Sequence, residues 1–268
     1  MIERGFQYQE SKHKSRIITL NKESELRIKT SFETNFYVQV EEGTAEISGM
    51  EMTKYFYYKL PKVLSIPIYT WGGCKIKIVA PNHYTLSNSG AVASFSGKEV
   101  NWYEKTWQPN EENPHYMQAN IFGLLETLRQ HAQVQKQIGP KILIVGSPAS
   151  GKSELARTFL NYSVKIGWPT AFVELDPEHP ETSVPGMLTA SVVSGEYLSV
   201  NSLLTSVRRQ RDQQTGILCS FQLSKPRKFR HLHFADRTLV QRAGQAIYRG
   251  PREVQCSLET EAILLLRN

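Results

Sequence analysis

Eight residues constrain this chain more than any others: Gly146-Ser-Pro-Ala-Ser-Gly-Lys-Ser153. They match the pattern G-x-x-x-x-G-K-S. They stand between an apolar run, Lys141-Ile-Leu-Ile-Val145, and a segment, residues 153–164, in which Leu155, Phe159 and Leu160 recur at helical spacing. A strand entering such a loop and a helix leaving it is the context in which the pattern carries chemistry. Gly146 and Gly151 are expected to supply the backbone torsions that let N–H groups converge on phosphate oxygens as the chain runs through Ser147, Pro148, Ala149 and Ser150. The helix starting near Gly151 adds the positive end of its dipole. Lys152 then places a cation among the phosphates, and the Ser153 hydroxyl is a ligand for Mg²⁺. Glu154, next in the helix, is grouped with these cofactor-binding residues.

Gly167-Trp-Pro169 breaks the helix, and Thr170-Ala-Phe-Val-Glu-Leu175 reads as a further strand. The strand–helix–strand order predicts a right-handed βαβ unit with a parallel pair. Asp176 ends this second strand and is the only aspartate in the first 200 residues. An aspartate there can hold Mg²⁺ through water or accept the proton of an attacking hydroxyl, so Lys152 and Asp176 are the catalytic candidates. His179, three residues on, reads as a solvated loop histidine, with a phosphate or hydroxyl partner as the alternative.

Upstream the pattern changes. Residues 17–110 read as β, in short β-branched and aromatic runs: Phe36-Tyr-Val-Gln-Val40, Ala45-Glu-Ile47, Lys54-Tyr-Phe-Tyr-Tyr58, Ile66-Pro-Ile-Tyr69 and Lys75-Ile-Lys-Ile-Val79. Phe36, Val38 and Val40 alternate onto one face. Such spacing predicts a small sandwich or barrel. A polar stretch with two prolines, residues 108–116, marks a boundary. After it Ile121, Leu124, Leu125 and Leu128 recur at helical spacing up to a stop at Gly139-Pro140. The expected architecture is therefore β plus α/β. It comprises a small β-sandwich or barrel over 15–108, a parallel-sheet phosphate-loop domain over 117–200, and a basic segment over 201–268; the resemblance described below implies the sandwich and makes 117–200 the N-terminal part of its domain.

The charge balance sharpens that last boundary. The chain carries 32 Lys+Arg against 25 Asp+Glu, a surplus that suggests nucleic acid. Residues 201–268 hold 12 basic and 5 acidic groups, whereas residues 1–200 hold 20 of each. Arginine outnumbers lysine 10 to 2 in the tail, the reverse of the body. The break reads as an altered C-terminus on a truncated product, with an arginine-rich RNA arm as the alternative. Scattered arginines and the apolar Ile217-Leu218 and Ile263-Leu-Leu-Leu266 argue against the arm. No window is apolar enough for a membrane helix, and no apolar leader is visible at the N-terminus. Cys74, Cys219 and Cys256 have no zinc spacing and fit a reducing compartment.

Taken together, several segments resemble one family: the ATP-binding subunit of the pre-mRNA cleavage and polyadenylation machinery, related to the polynucleotide 5′-hydroxyl kinases. The segments are Val173-Glu-Leu-Asp-Pro177, Ser183-Val-Pro-Gly-Met187, Glu23-Ser-Glu-Leu-Arg27, Gly43-Thr-Ala-Glu-Ile-Ser-Gly-Met-Glu-Met52 and Tyr69-Thr-Trp-Gly-Gly-Cys74. Leu175-Asp-Pro-Glu-His-Pro180 is similar to the fungal version. The resemblance implies an N-terminal β-sandwich, a P-loop kinase-like domain binding ATP with Mg²⁺, and Glu25 as a contact to the base. It implies Ser153 and Asp176 as the metal-linked pair, a nuclear location, and other cleavage-factor subunits as partners, with RNA a further candidate. It leaves two activities open, an ATP-binding scaffold and a kinase acting on RNA 5′-hydroxyls. A generic P-loop NTPase is a third reading. The lid arginines that a kinase needs cannot be assigned, which favours the scaffold.

Overall fold

Among the described residues, ten strands precede the first helix. In the computed structural model the described residues are 9–30, 36–60, 66–88, 99–147, 150–174, 187–193, 216–222 and 261–265. The chain divides into two units, Met1–Asn113 and Pro114–Asn268.

The first unit is a β-sandwich. One sheet contains β1 (His13–Leu20), β3 (Tyr37–Gly43), β6 (Tyr58–Lys59) and β8 (Cys74–Pro81), in the antiparallel order β1-β8-β3-β6. The other contains β2 (Ser24–Thr30), β4 (Glu46–Ile47), β5 (Met50–Glu51), β7 (Ile66–Thr70), β9 (Thr85–Asn88) and β10 (Glu99–Thr106), in the order β5-β4-β7-β2-β10-β9. Period-two alternation aims one set of side chains from each sheet inward. Ile18, Val38, Val40, Ile76 and Ile78 from the first sheet meet Leu26, Ile28, Ile68, Val100 and Trp102 from the second in one core. Each such side chain contributes roughly 2 kcal/mol by leaving water. Cys74 is buried in this core, and burial raises its thiol pKa despite the opposing hydrogen bond with Thr70. Gly43 has a positive φ of 76°, and a Cβ there would lie 2.1 Å from the Gly73 carbonyl oxygen. Only glycine allows β3 and the turn before β8 to approach so closely.

The expected strand over 54–58 is not present as such. Only Tyr58 enters β6, and Lys54 forms an isolated bridge to Val40. The cause is local: Tyr55 takes a left-handed φ of 61°, which breaks an extended run.

The second unit opens with α1 (Pro114–Val134). Proline at the first helical position costs nothing, because its missing N–H would be unbonded anyway. The side of α1 that meets α2 (Lys152–Lys165) differs from a simple apolar stripe. Phe122 and Leu125 pack on the α2 core, whereas Ile121, Leu124 and Leu128 are exposed. A cation completes the contact: Arg129 is 2% exposed. Its Nη2 donates to Ser163 Oγ at 2.8 Å and its Nη1 to Glu126 Oε2 at 3.1 Å, with the guanidinium 4.9 Å from the Phe122 ring centroid. Trp168 Nε1 donates to the same Glu126 oxygen at 2.9 Å.

The sheet of this unit corrects the expected parallel pair. It contains β11 (Ile142–Ile144), β12 (Thr170–Glu174), β13 (Met187–Val193), β14 (Gly216–Gln222) and β15 (Glu261–Leu265), in the order β11-β15-β12-β13-β14. β11 and β12 run parallel but do not touch, because β15 lies between them, parallel to both. β13 and β14 add antiparallel pairs, so the sheet is mixed. The apolar pieces of the basic segment are thus strands: Ile217-Leu218 in β14, and Ile263-Leu-Leu265 in β15. The rest of that segment, with its arginines, lies outside the described residues.

Replacing Arg129 removes two charge-assisted hydrogen bonds from a dry site. Arg129→Ala is expected to lower the unfolding free energy by about 2 kcal/mol, read as a lower urea midpoint at unchanged slope. A shift within about 0.5 kcal/mol would show that the arginine does not tie α1 to α2.

Candidate functional site

The site is built where β11 hands over to α2. Ile144 is the last residue of the strand and is buried with Ala156, Phe159, Leu160 and Phe172. That cluster presses α2 on the sheet and fixes the direction in which the helix leaves the loop. The far end of α2 is closed firmly. Gly167 adopts a φ of 92°, its N–H donates to Val164 O, and the Trp168 N–H donates to Ser163 O. These two bonds form a Schellman closure, which satisfies the last carbonyls and stops the helix.

At the near end Gly151 is the N-cap, with φ 87°. No side chain caps the helix there, and the Gly151 carbonyl accepts the first helical bond from Leu155 N–H at 2.9 Å. The amides of the first turn are therefore directed at whatever lies in the loop. The two glycines act differently. Gly151 is needed for its torsion, since a Cβ added there meets nothing within 4 Å. At Gly146 a Cβ would lie 2.9 Å from Ser150 Oγ, a hydroxyl that can turn aside, and in ordinary contact with Lys152 Cδ at 3.5 Å. Of the two glycines, Gly151 takes the left-handed torsion and Gly146 does not.

Lys152 is folded into the loop. It is 7% exposed, and its Nζ donates to Gly146 O at 2.6 Å and to Ser147 O at 2.5 Å. Ser150 N–H closes a turn onto Ser147 O at 3.3 Å. Ser153 is exposed on the first turn of α2, where its hydroxyl is open to an incoming ligand. Glu154 turns elsewhere: its carboxylate takes Arg157 Nη1 at 2.8 Å one turn along the helix. The structure thus brings together Gly146, Ser147, Ser150, Gly151, Lys152, Ser153 and Glu154. Pro148, Ala149, Asp176 and His179 lie outside the described residues.

Glu25 belongs to the first unit. It is buried on β2 and accepts a close hydrogen bond from Arg27 Nε. Arg27 has a raised pKa: burial opposes its charge, but the hydrogen bond and charge of Glu25, with Tyr103, outweigh that cost. One acid near the loop went unnoticed in the sequence. Glu174 closes β12 and is 4% exposed. Its signal was a carboxylate directly after the apolar run Ala171-Phe-Val173.

A loop of this geometry leaving the parallel part of a mixed sheet, after a β-sandwich, defines a P-loop nucleotide-binding protein. Residues 19–132 match the family described as the N-terminal beta-sandwich domain of polyadenylation factor. Residues 146–209 match the mRNA cleavage and polyadenylation factor CLP1 P-loop. The chain belongs to this Clp1 family. It is 34% identical over 178 residues to the mRNA cleavage and polyadenylation factor clp1 of Aspergillus clavatus, covering 65% of this chain and 32% of that protein. With the Aspergillus terreus protein of the same name it is 36% identical over 179 residues, again 65% of this chain and 32% of the relative. The chain spans about a third of the length of these curated relatives. Among solved structures it is similar to Clp1p in a complex with Pcf11p, at a TM-score of 0.64 and 18% identity, over 95% of this chain and 55% of that one. A second Clp1p–Pcf11p complex, with wild-type Clp1p, superposes at 0.63 and 19% identity, over 94% and 54%. At such identities these likenesses speak for the fold.

Gly151→Ala is expected to cost about 1 kcal/mol of stability, because the strain is purely torsional. Chemical unfolding measures it. A cost above about 3 kcal/mol would mean that a side chain there meets an obstruction.

Proposed function

We propose that this chain binds ATP with Mg²⁺ in the 146–153 loop and acts as a scaffold subunit in nuclear pre-mRNA 3′-end cleavage and polyadenylation. The observation that carries this reading is Lys152, a buried cation held by two loop carbonyls at the uncapped start of a helix. Phosphate oxygens are better partners for an ammonium than neutral carbonyls are. An entering triphosphate would take Lys152 from Gly146 O and Ser147 O and meet the first-turn amides of α2. Mg²⁺ fits the donors: Ser153 offers a hard oxygen at an exposed position, and the phosphates supply others. Bound Mg²⁺ neutralises phosphate charge. Asp176, two residues beyond β12, is our candidate for the metal-linked acid. No helix of the described residues is long and apolar enough to cross a membrane. Other cleavage-factor subunits are the proposed partners. RNA contact, if made by the charge-balanced first 200 residues, has to be local.

The scaffold is preferred to the kinase on the arginines. A phosphoryl-transfer site needs mobile cations over the γ-phosphate. Among the described residues of the second unit the arginines are Arg129 and Arg157, and both are engaged with acids, Glu126 and Glu154.

The test uses γ-labelled ATP and a 5′-hydroxyl oligoribonucleotide. The chain is expected to retain ATP through gel filtration and to transfer no label, and Lys152→Ala should weaken binding at least about tenfold. Label transfer that Lys152→Ala abolishes would replace the scaffold with a polynucleotide kinase. ATP binding that Lys152→Ala leaves unchanged would remove the loop from the account.

A further inference from the structure

We infer that the turn carrying Lys54-Tyr-Phe-Tyr-Tyr-Lys59 is a stacking platform for single-stranded RNA; this deepens the RNA-processing reading above and does not depend on nucleotide binding. The run sets four aromatic residues in a row between two lysines, and no acid falls in residues 52–60. Of these six residues only Tyr58 and Lys59 enter a strand. The remainder forms a turn on the first unit, and the fold uses its rings unequally.

Two observations converge on the turn. The first is a ring that folding does not use. Tyr55 is 71% exposed, so it adds little to the core. It also takes φ 61°, a left-handed torsion that a side chain makes costly and that glycine tolerates. Strain of this kind, imposed by the surrounding structure, collects at functional positions. The second observation is that the turn is fixed from several sides. Tyr55 N–H donates to Val40 O at 2.8 Å, and Lys54 bridges the same valine. Thr53 N–H donates to Tyr58 Oη at 2.7 Å, and the Phe56 and Tyr58 rings meet edge to face at 5.0 Å. Lys59 pairs in register with Tyr37 of β3. The exposed ring of Tyr55 is thus presented from a settled backbone, which lowers the cost of ordering it on a ligand.

The chemistry suits a single nucleic-acid strand. Lys54, next to Tyr55, is exposed. An ammonium beside an open ring matches a phosphate beside a base. The acids that follow Val40 on β3 do not cancel it: Glu42 takes Lys75 at 2.8 Å and Glu41 takes Lys77 at 3.8 Å. In duplex RNA the base faces are already stacked, so an exposed ring finds a partner in single strands. An apolar peptide would cover the ring and leave the lysine unanswered. Every base has a π-face, so the contact on Tyr55 tolerates any sequence.

The deciding measurement is the affinity of the full chain for a short fluorescein-labelled oligouridylate, for wild type, Tyr55→Gly, Tyr55→Phe and Lys54→Ala. Tyr55→Gly removes the ring and relieves the torsion. Its melting temperature should equal or exceed that of the wild type, while its affinity for the RNA falls about tenfold. Tyr55→Phe keeps the ring and should bind within about twofold of wild type. Lys54→Ala should reduce the salt dependence of binding by about 0.7 in slope. The basic segment over 201–268 can hold RNA by charge alone, so the contact is also located by photocrosslinking. An oligouridylate carrying 5-iodouridine should crosslink within residues 54–59. Wild-type affinity in Tyr55→Gly, or crosslinks confined to 201–268, overturns the inference. So does a lower melting temperature in Tyr55→Gly, which marks a structural tyrosine, and so does equal affinity for duplex RNA, which marks charge alone. A chain that retains ATP and binds no RNA overturns the platform and leaves the nucleotide reading standing.

Discussion

The phosphate loop hangs from a strand whose sheet neighbour, among the described residues, is β15. Ile142, Leu143 and Ile144 pair with Ile263, Leu264 and Leu265, and the other edge of β15 pairs with β12. β11 is three residues long, and such a strand has no stability of its own. The position of Gly146, and of everything after it in the loop, therefore depends on a segment more than a hundred residues further along the chain. That is a non-local contact with a large closure cost, made late in synthesis.

From that anchor the order of the site spreads through packing. Ile144 and Phe172 present one face of the sheet to Ala156, Phe159 and Leu160, so α2 has one way to lie. Arg129 then fastens α1 to α2 through Ser163, and Glu126 joins Arg129 to Trp168 of the Schellman closure. The near end of α2 is left uncapped by side chains, and there the buried Lys152 is held by loop carbonyls. A rigid frame with unspent donors at one end is the preorganised form of an anion site.

Sequence reasoning worked where the signal was local. The G-x-x-x-x-G-K-S loop, the Phe159 and Leu160 face of α2 and the alternating strands of the sandwich each follow from a short period, and the structure has them. It failed where the answer lay in pairing between distant segments. Thr170–Glu174 was expected beside the loop strand, because periodicity carries no strand order, and β15 takes that place. The Ile263-Leu-Leu-Leu266 run sat in an arginine-rich stretch without family resemblance, so composition hid a strand. On α1 the helical spacing of Ile121, Leu124, Leu125 and Leu128 marked the helix, but of these only Leu125 packs on the α2 core, beside Phe122, and a charged Arg129 completes the contact. A buried cation on a helix face is invisible to a hydrophobic pattern.

The central claim is that the nucleotide loop depends on pairing of β11 with β15, and native-state amide hydrogen exchange tests it most directly. The amides of Ile142–Ile144 and Glu261–Leu265 are predicted to open with one free energy and the same denaturant dependence, as a single cooperative unit. Exchange of the 261–265 amides at the rate of an unstructured peptide, while 142–144 remain protected, would contradict the account.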